Sequence, residues 1–136
     1  KLLGLEKVLL LKPSAELRKL EVNQNDEDDL MPFPILDEIG RWHQVSRLAP
    51  REILIRVHQS RSDRYSLSDV GAMIEKYITL FVRSEWKRNK NAVAFHIESN
   101  SLDPKTYARF PLLNGGMRNE ISDMWEYIKL TNALNA

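Results

Sequence analysis

The stretch from Ser66 to Asn91, SLSDVGAMIEKYITLFVRSEWKRNKN, constrains the fold more than any other part of the sequence. Leu67, Val70, Met73, Ile74, Tyr77, Ile78, Phe81 and Val82 recur at the three- and four-residue steps that put side chains on one face of an α-helix. Such a face must be covered, so the spacing predicts a long helix lying on a core. Ser66, followed three residues later by Asp69, reads as a variant capping box that opens it. Lys76, Arg83, Lys87 and Lys90 fall together on another face and crowd toward the C-terminal end, where the helix dipole favours cations. Two readings of that basic end stand side by side: a solvated helix terminus, or a clamp for a phosphate or carboxylate.

A chain of 136 residues is of single-domain size and can bury a real core. Its 43% hydrophobic and 29% charged content fits an ordinary globular domain, and a net charge of +1 argues against bulk nucleic-acid binding. The absence of cysteine excludes a disulfide framework, a thiolate nucleophile and a thiolate metal site. No apolar run approaches the roughly eighteen residues of a membrane span. The chain opens on Lys1 and then LLGLEKVLLLK, which reads as the middle of a fold, so the expectation is a piece of a longer protein.

Residues 7–11, KVLLL, are predicted to form a buried strand, with LLG before it as a helix tail capped at Gly4. A loop follows at Lys12-Pro13-Ser14, where Ser14 either caps a short turn or offers a hydroxyl to a phosphate. Residues 18–29 are polar and end in four acids, Asp26 to Asp29. These acids either order the loop ahead of the next helix or weakly hold a cation. Helices are predicted over about 34–46, 50–59 and 119–130, with loops over 100–114 and a break at Gly115-Gly116. The fold class expected is mainly α with one strand near residues 7–11. His43, His58 and His96 show no metal-ligand spacing, and no G-x-S-x-G, H-E-x-x-H or glycine-rich phosphate loop occurs. Trp42, Trp86 and Trp125 all fall on predicted helices and read as core or interface residues.

Several blocks in one order resemble the C-terminal part of NAD synthetase, most closely its glutamine-dependent form. They are Pro13-Ser14-Ala15-Glu16-Leu17; Gln24, Asp26, Glu27 and Leu30; Leu36-Asp37-Glu38-Ile39; Trp86-Lys87-Arg88; and Ala94-Phe95-His96 with Asp103-Pro104-Lys105-Thr106 and Arg109-Phe110-Pro111. The resemblance implies a helical C-terminal portion of an α/β ATP-pyrophosphatase fold of the adenine-nucleotide-alpha-hydrolase kind, with the rest of the sheet upstream of Lys1. Residues 1–136 would then be the C-terminal part of the synthetase domain. The implied activity is that of a ligase of NAD biosynthesis: ATP adenylates the nicotinate carboxylate of deamido-NAD, pyrophosphate leaves, and ammonia drawn from glutamine gives NAD and AMP.

By position, Ser14 would contact ATP, and Lys87 with Trp86 would contact deamido-NAD. Ser14 stands where threonine is commoner, and Trp86 where the ammonia-dependent form has histidine. Asp26, Glu27 and Asp29 would order their loop or hold a metal weakly. No catalytic residue is expected in this segment, so the 136 residues alone are expected to be inactive. The resemblance further implies ATP and Mg²⁺ as cofactors, a cytoplasmic homo-oligomer, and no membrane or nucleic-acid partner. The rival reading is a helical module that uses the basic stretch 66–91 to bind a protein or nucleic acid.

Overall fold

The computed structural model describes residues 4–11, 25–90, 92, 101–109 and 115–135. The chain falls into two compact units, Lys1–Phe33 and Pro34–Ala136. All regular structure among the described residues is helical.

In the first unit, α1 spans Leu5–Leu9 and α2 spans Asp26–Asp29. The strand expected at residues 7–11 is therefore a helix followed by a turn, closed by a Leu11 N–H bond to the Val8 carbonyl at 3.2 Å. Two physical reasons account for the change. A continuous apolar run has no period, so it does not separate helix from strand, and leucine favours helix. A strand also needs a ladder partner, and among the described residues there is none. Gly4 precedes α1 at φ 146°, and the residues before it, where a helix tail was expected, lie outside the described residues. Val8, Leu9, Leu10 and Leu11 are exposed rather than buried. Asn25 caps α2 by accepting from the Glu27 N–H. The Glu27 carboxylate in turn accepts from the Phe33 N–H at 2.8 Å, which ties the acidic turn to the start of the next helix.

The second unit is built on α3 (Phe33–Gln44, whose first residue ends the first unit), α4 (Pro50–Arg61), α5 (Leu67–Arg83), α6 (Glu85–Lys90) and α7 (Arg118–Leu134). The helices α4, α5 and α7 pack pairwise against one another. Their core is Ile53, Leu54 and Val57 from α4, Val70, Ile74 and Ile78 from α5, and Met124 and Ile128 from α7, all nearly inaccessible. Gly71 lets α5 and α7 approach closely: a Cβ there would stand 2.5 Å from Ile128 Cδ1. Helix α3 contributes Ile35 and Ile39. It is tied to α4 by Glu38, which accepts from Arg61 Nε at 2.7 Å and from the Ser60 hydroxyl at 2.9 Å. Pro50 opens α4 at its first turn, and the Glu52 carboxylate accepts from the Ala49 N–H at 2.9 Å.

Helix α5 begins as its sequence predicts. Ser66 accepts from the Asp69 N–H at 3.1 Å, and the Asp69 carboxylate accepts from the Ser66 N–H at 3.0 Å. The Ser66 hydroxyl also donates to that carboxylate, at 2.6 Å, and this bond, followed by the one from the Ser66 N–H, holds the exposed Asp69 carboxyl below its usual pKa. The helix does not run unbroken to Asn91. At Ser84 the backbone departs to φ −91° and ψ 9°, and Lys87 N–H bonds back only three residues, to the Ser84 carbonyl. Serine competes for backbone hydrogen bonds and so suits such a break. The basic face is thereby divided: Lys76 and Arg83 stand on α5, Lys87 and Lys90 on α6. Ahead of α7, Gly115, Gly116 and Met117 take φ of 66°, 79° and 53°, the left-handed region that the paired glycines make accessible.

Candidate functional site

The proposed dinucleotide contact lies on α6. Trp86 is 58% exposed, and the ammonium groups of Lys87 and Lys90 stand 5.8 and 5.5 Å from its ring centroid. Two exposed cations beside one exposed indole form a surface suited to an anion carrying an aromatic ring. The third cation of this helix behaves differently. Arg88 is 8% exposed and lies with its guanidinium carbon 3.8 Å from the Phe81 ring centroid. Desolvation lowers its pKa from the ordinary arginine value.

Beneath Arg88 is a polar-aromatic cluster from α3 and α5. His43 packs edge-on against Phe81 at 4.9 Å and against Tyr77 at 5.5 Å, and Tyr77 stacks along Phe81. Tyr77 accepts a hydrogen bond from Gln44 Nε2 at 2.7 Å, and its hydroxyl is 3.5 Å from His43 Nδ1. Burial, and then the positive charges of Arg47 and Arg88, push the His43 pKa down to about 4, so the ring is neutral at pH 7. Burial likewise pushes the Tyr77 phenol up. Neither His43 nor Arg88 carries an obvious functional mark in the sequence. In hindsight, His43 continues the line of Ile35 and Ile39 at steps of four, and Arg88 follows Phe81 by seven, so both fall on buried faces.

Ser14, the candidate ATP contact, lies outside the described residues, as do the blocks at Pro13–Leu17 and Ala94-Phe95-His96, together with Gln24, Phe110 and Pro111. Asp26 and Asp29 form the ends of α2, and Glu27 is engaged with Phe33 N–H. Among the described residues no group of three histidine or carboxylate side chains is placed to hold a metal ion. Asp103-Pro104-Lys105-Thr106 folds as a turn in which the Asp103 carboxylate accepts from Lys105 N–H at 2.9 Å and Thr106 Oγ1 at 2.8 Å. Arg47 Nη2 donates to the Tyr107 carbonyl at 3.2 Å and ties this turn to the end of α3. Arg83, expected on the same face as Lys87, instead borders a concavity of about 700 Å³ shared with Gly116, Arg118 and Ser122. No described helix is long and apolar enough to cross a membrane.

No family model matches the chain. Among curated proteins, the glutamine-dependent NAD(+) synthetase of Acinetobacter baylyi is 33% identical over 110 residues, which is 81% of this chain and 17% of that protein. The glutamine-dependent NAD(+) synthetase of Thermotoga maritima is 31% identical over 109 residues, 80% of this chain and 16% of the relative. A crystal structure of a glutamine-dependent NAD(+) synthetase from Cytophaga hutchinsonii superimposes with a TM-score of 0.66 at 29% identity, covering 71% of this chain and 16% of that one. The chain thus spans 16–17% of the length of the curated relatives it matches. In sequence and in structure, it is homologous to a part of the glutamine-dependent NAD(+) synthetases.

Proposed function

We propose that these residues work as the C-terminal part of a synthetase domain in a longer, glutamine-dependent NAD synthetase. The observation that carries this reading is the 33% identity sustained over 110 residues, joined to the structural match at 29% identity. In this reading the complete enzyme has an α/β ATP-pyrophosphatase fold. ATP activates the nicotinate carboxylate of deamido-NAD as an adenylate, and ammonia released from glutamine displaces AMP.

Both substrates are polyanions, so positively charged side chains at fixed positions are the main demand on the protein. Lys87 meets that demand from α6, where its exposed ammonium group is free to reach a ligand phosphate or carboxylate. Trp86 offers its exposed indole to a ring of the dinucleotide. Ser14 is proposed as the hydroxyl contact to ATP. Magnesium would accompany ATP, bound through the substrate phosphates with one or two carboxylates. Glu27 acts as a loop-ordering carboxylate.

NAD formation tests the proposal. The 136-residue chain supplied with ATP, deamido-NAD and ammonium is expected to make no NAD, whereas the longer protein containing it is expected to do so. NAD formation by the 136 residues alone, or none by the longer protein, would refute it. A module that binds nucleic acid through α6 would instead show salt-steep, sequence-tolerant binding and no discrimination among dinucleotides.

A further inference from the structure

Helix α6 has only six residues, far below the length at which a helix holds itself in water. The break at Ser84 also denies it a continuous ladder with α5. Its orientation must therefore come from a tertiary anchor, and Arg88 is the buried residue it offers. Trp86, Lys87, Asn89 and Lys90 all face water, while Arg88 turns inward onto Phe81 at 3.8 Å. Phe81 is itself braced, edge-on by His43 and in stacking contact with Tyr77. A desolvated guanidinium on such a ring face is held far more firmly than an exposed one.

We propose that Arg88 is a positioning residue: its guanidinium, seated on Phe81, fixes α6 so that Trp86 and Lys87 are held outward toward the dinucleotide. This deepens the functional reading above and rests on it. A displacement of about 1 Å in a contact of this kind is enough for a large kinetic loss. Arg88 itself touches no substrate in this account and acts through its neighbours.

The test uses the longer synthetase that contains this segment, with Arg88→Ala, Arg88→Lys and Lys87→Ala variants. Arg88→Ala is expected to raise KM for deamido-NAD about tenfold and leave KM for ATP within about twofold. Amide hydrogen exchange over residues 85–90 should accelerate while exchange over α4 and α7 stays unchanged. Arg88→Lys keeps a stem and a cation over Phe81 and should recover most of the loss. If Arg88→Ala does not fold, Arg88→Met, which keeps the packed volume without the charge, must still raise KM for deamido-NAD selectively. Unchanged exchange, unchanged KM for deamido-NAD, or an equal rise in KM for ATP overturns the proposal. Lys87→Ala separates the two claims. A rise in its KM for deamido-NAD alongside a silent Arg88→Ala sinks only the positioning role. A silent Lys87→Ala sinks the assigned Lys87 contact, and with it the positioning role that rests on it.

Discussion

Replacing His43 with glutamine isolates one titration from every other in the chain. The imidazole is 2% exposed and packed between Tyr77 and Phe81 of α5, with Arg88 of α6 and Arg47 beyond α3 as the charges acting on it. Burial and those two cations hold its pKa at about 4 against an ordinary 6.5. Between these values the unfolded chain binds more protons than the folded one. Stability is therefore fully present above pH 6.5 and is lost as pH falls toward 4. A separation of that size corresponds to about 3 kcal/mol in total, of which about 2 kcal/mol is lost between pH 7 and pH 5. That window lies above the range in which ordinary carboxylates titrate. Urea unfolding followed by tryptophan fluorescence at pH 7 and pH 5 measures the difference directly. The native chain is expected to lose about 2 kcal/mol over this interval and His43→Gln less than about 0.5 kcal/mol. Equal losses in the two proteins would refute the assignment of a buried, neutral His43.

Three further outcomes follow from the packing. Ser66→Ala removes the side-chain acceptor for Asp69 N–H and is expected to cost about 1 kcal/mol, read as a lower urea midpoint at unchanged slope. Ile78→Ala empties a fully buried site on α5 and should cost about 2–5 kcal/mol in the same assay, whereas a loss under about 1 kcal/mol would mean the site is not core. Glu38→Ala removes the acceptor of Arg61 Nε between α3 and α4, while the Ser60 hydroxyl keeps the Val57 carbonyl, and is expected to cost about 1–2 kcal/mol, diminished little by salt.

Much of the second unit was legible in the sequence because its signals are local and periodic. Pro50 and the Ser66/Asp69 pair mark helix starts that need no tertiary information, and the stripe from Leu67 to Phe81 has one helical reading. The run at residues 7–11 was misread because four consecutive apolar residues carry no period, and pairing with another strand is a non-local property. The break at Ser84 escaped notice for a related reason. The basic face continues across it, from Lys76 and Arg83 to Lys87 and Lys90, so spacing alone reports a single rod. At the candidate site, Lys87 and Trp86 are proposed through resemblance to a family. Charge patterning reads Arg88 as one more solvated cation, because its meaning lies in a contact in space with the Phe81 ring that it covers.

The steady-state KM for deamido-NAD of the longer synthetase carrying Lys87→Ala, measured beside Lys76→Ala, tests the proposed role of α6 most directly. Lys76 is an exposed lysine of the same basic stretch, on α5 rather than α6. The prediction is a rise of about tenfold or more for Lys87→Ala, consistent with a lost charge-assisted contact, and no change for Lys76→Ala. Equal KM values in the two variants would contradict the claim that α6 presents the dinucleotide contact.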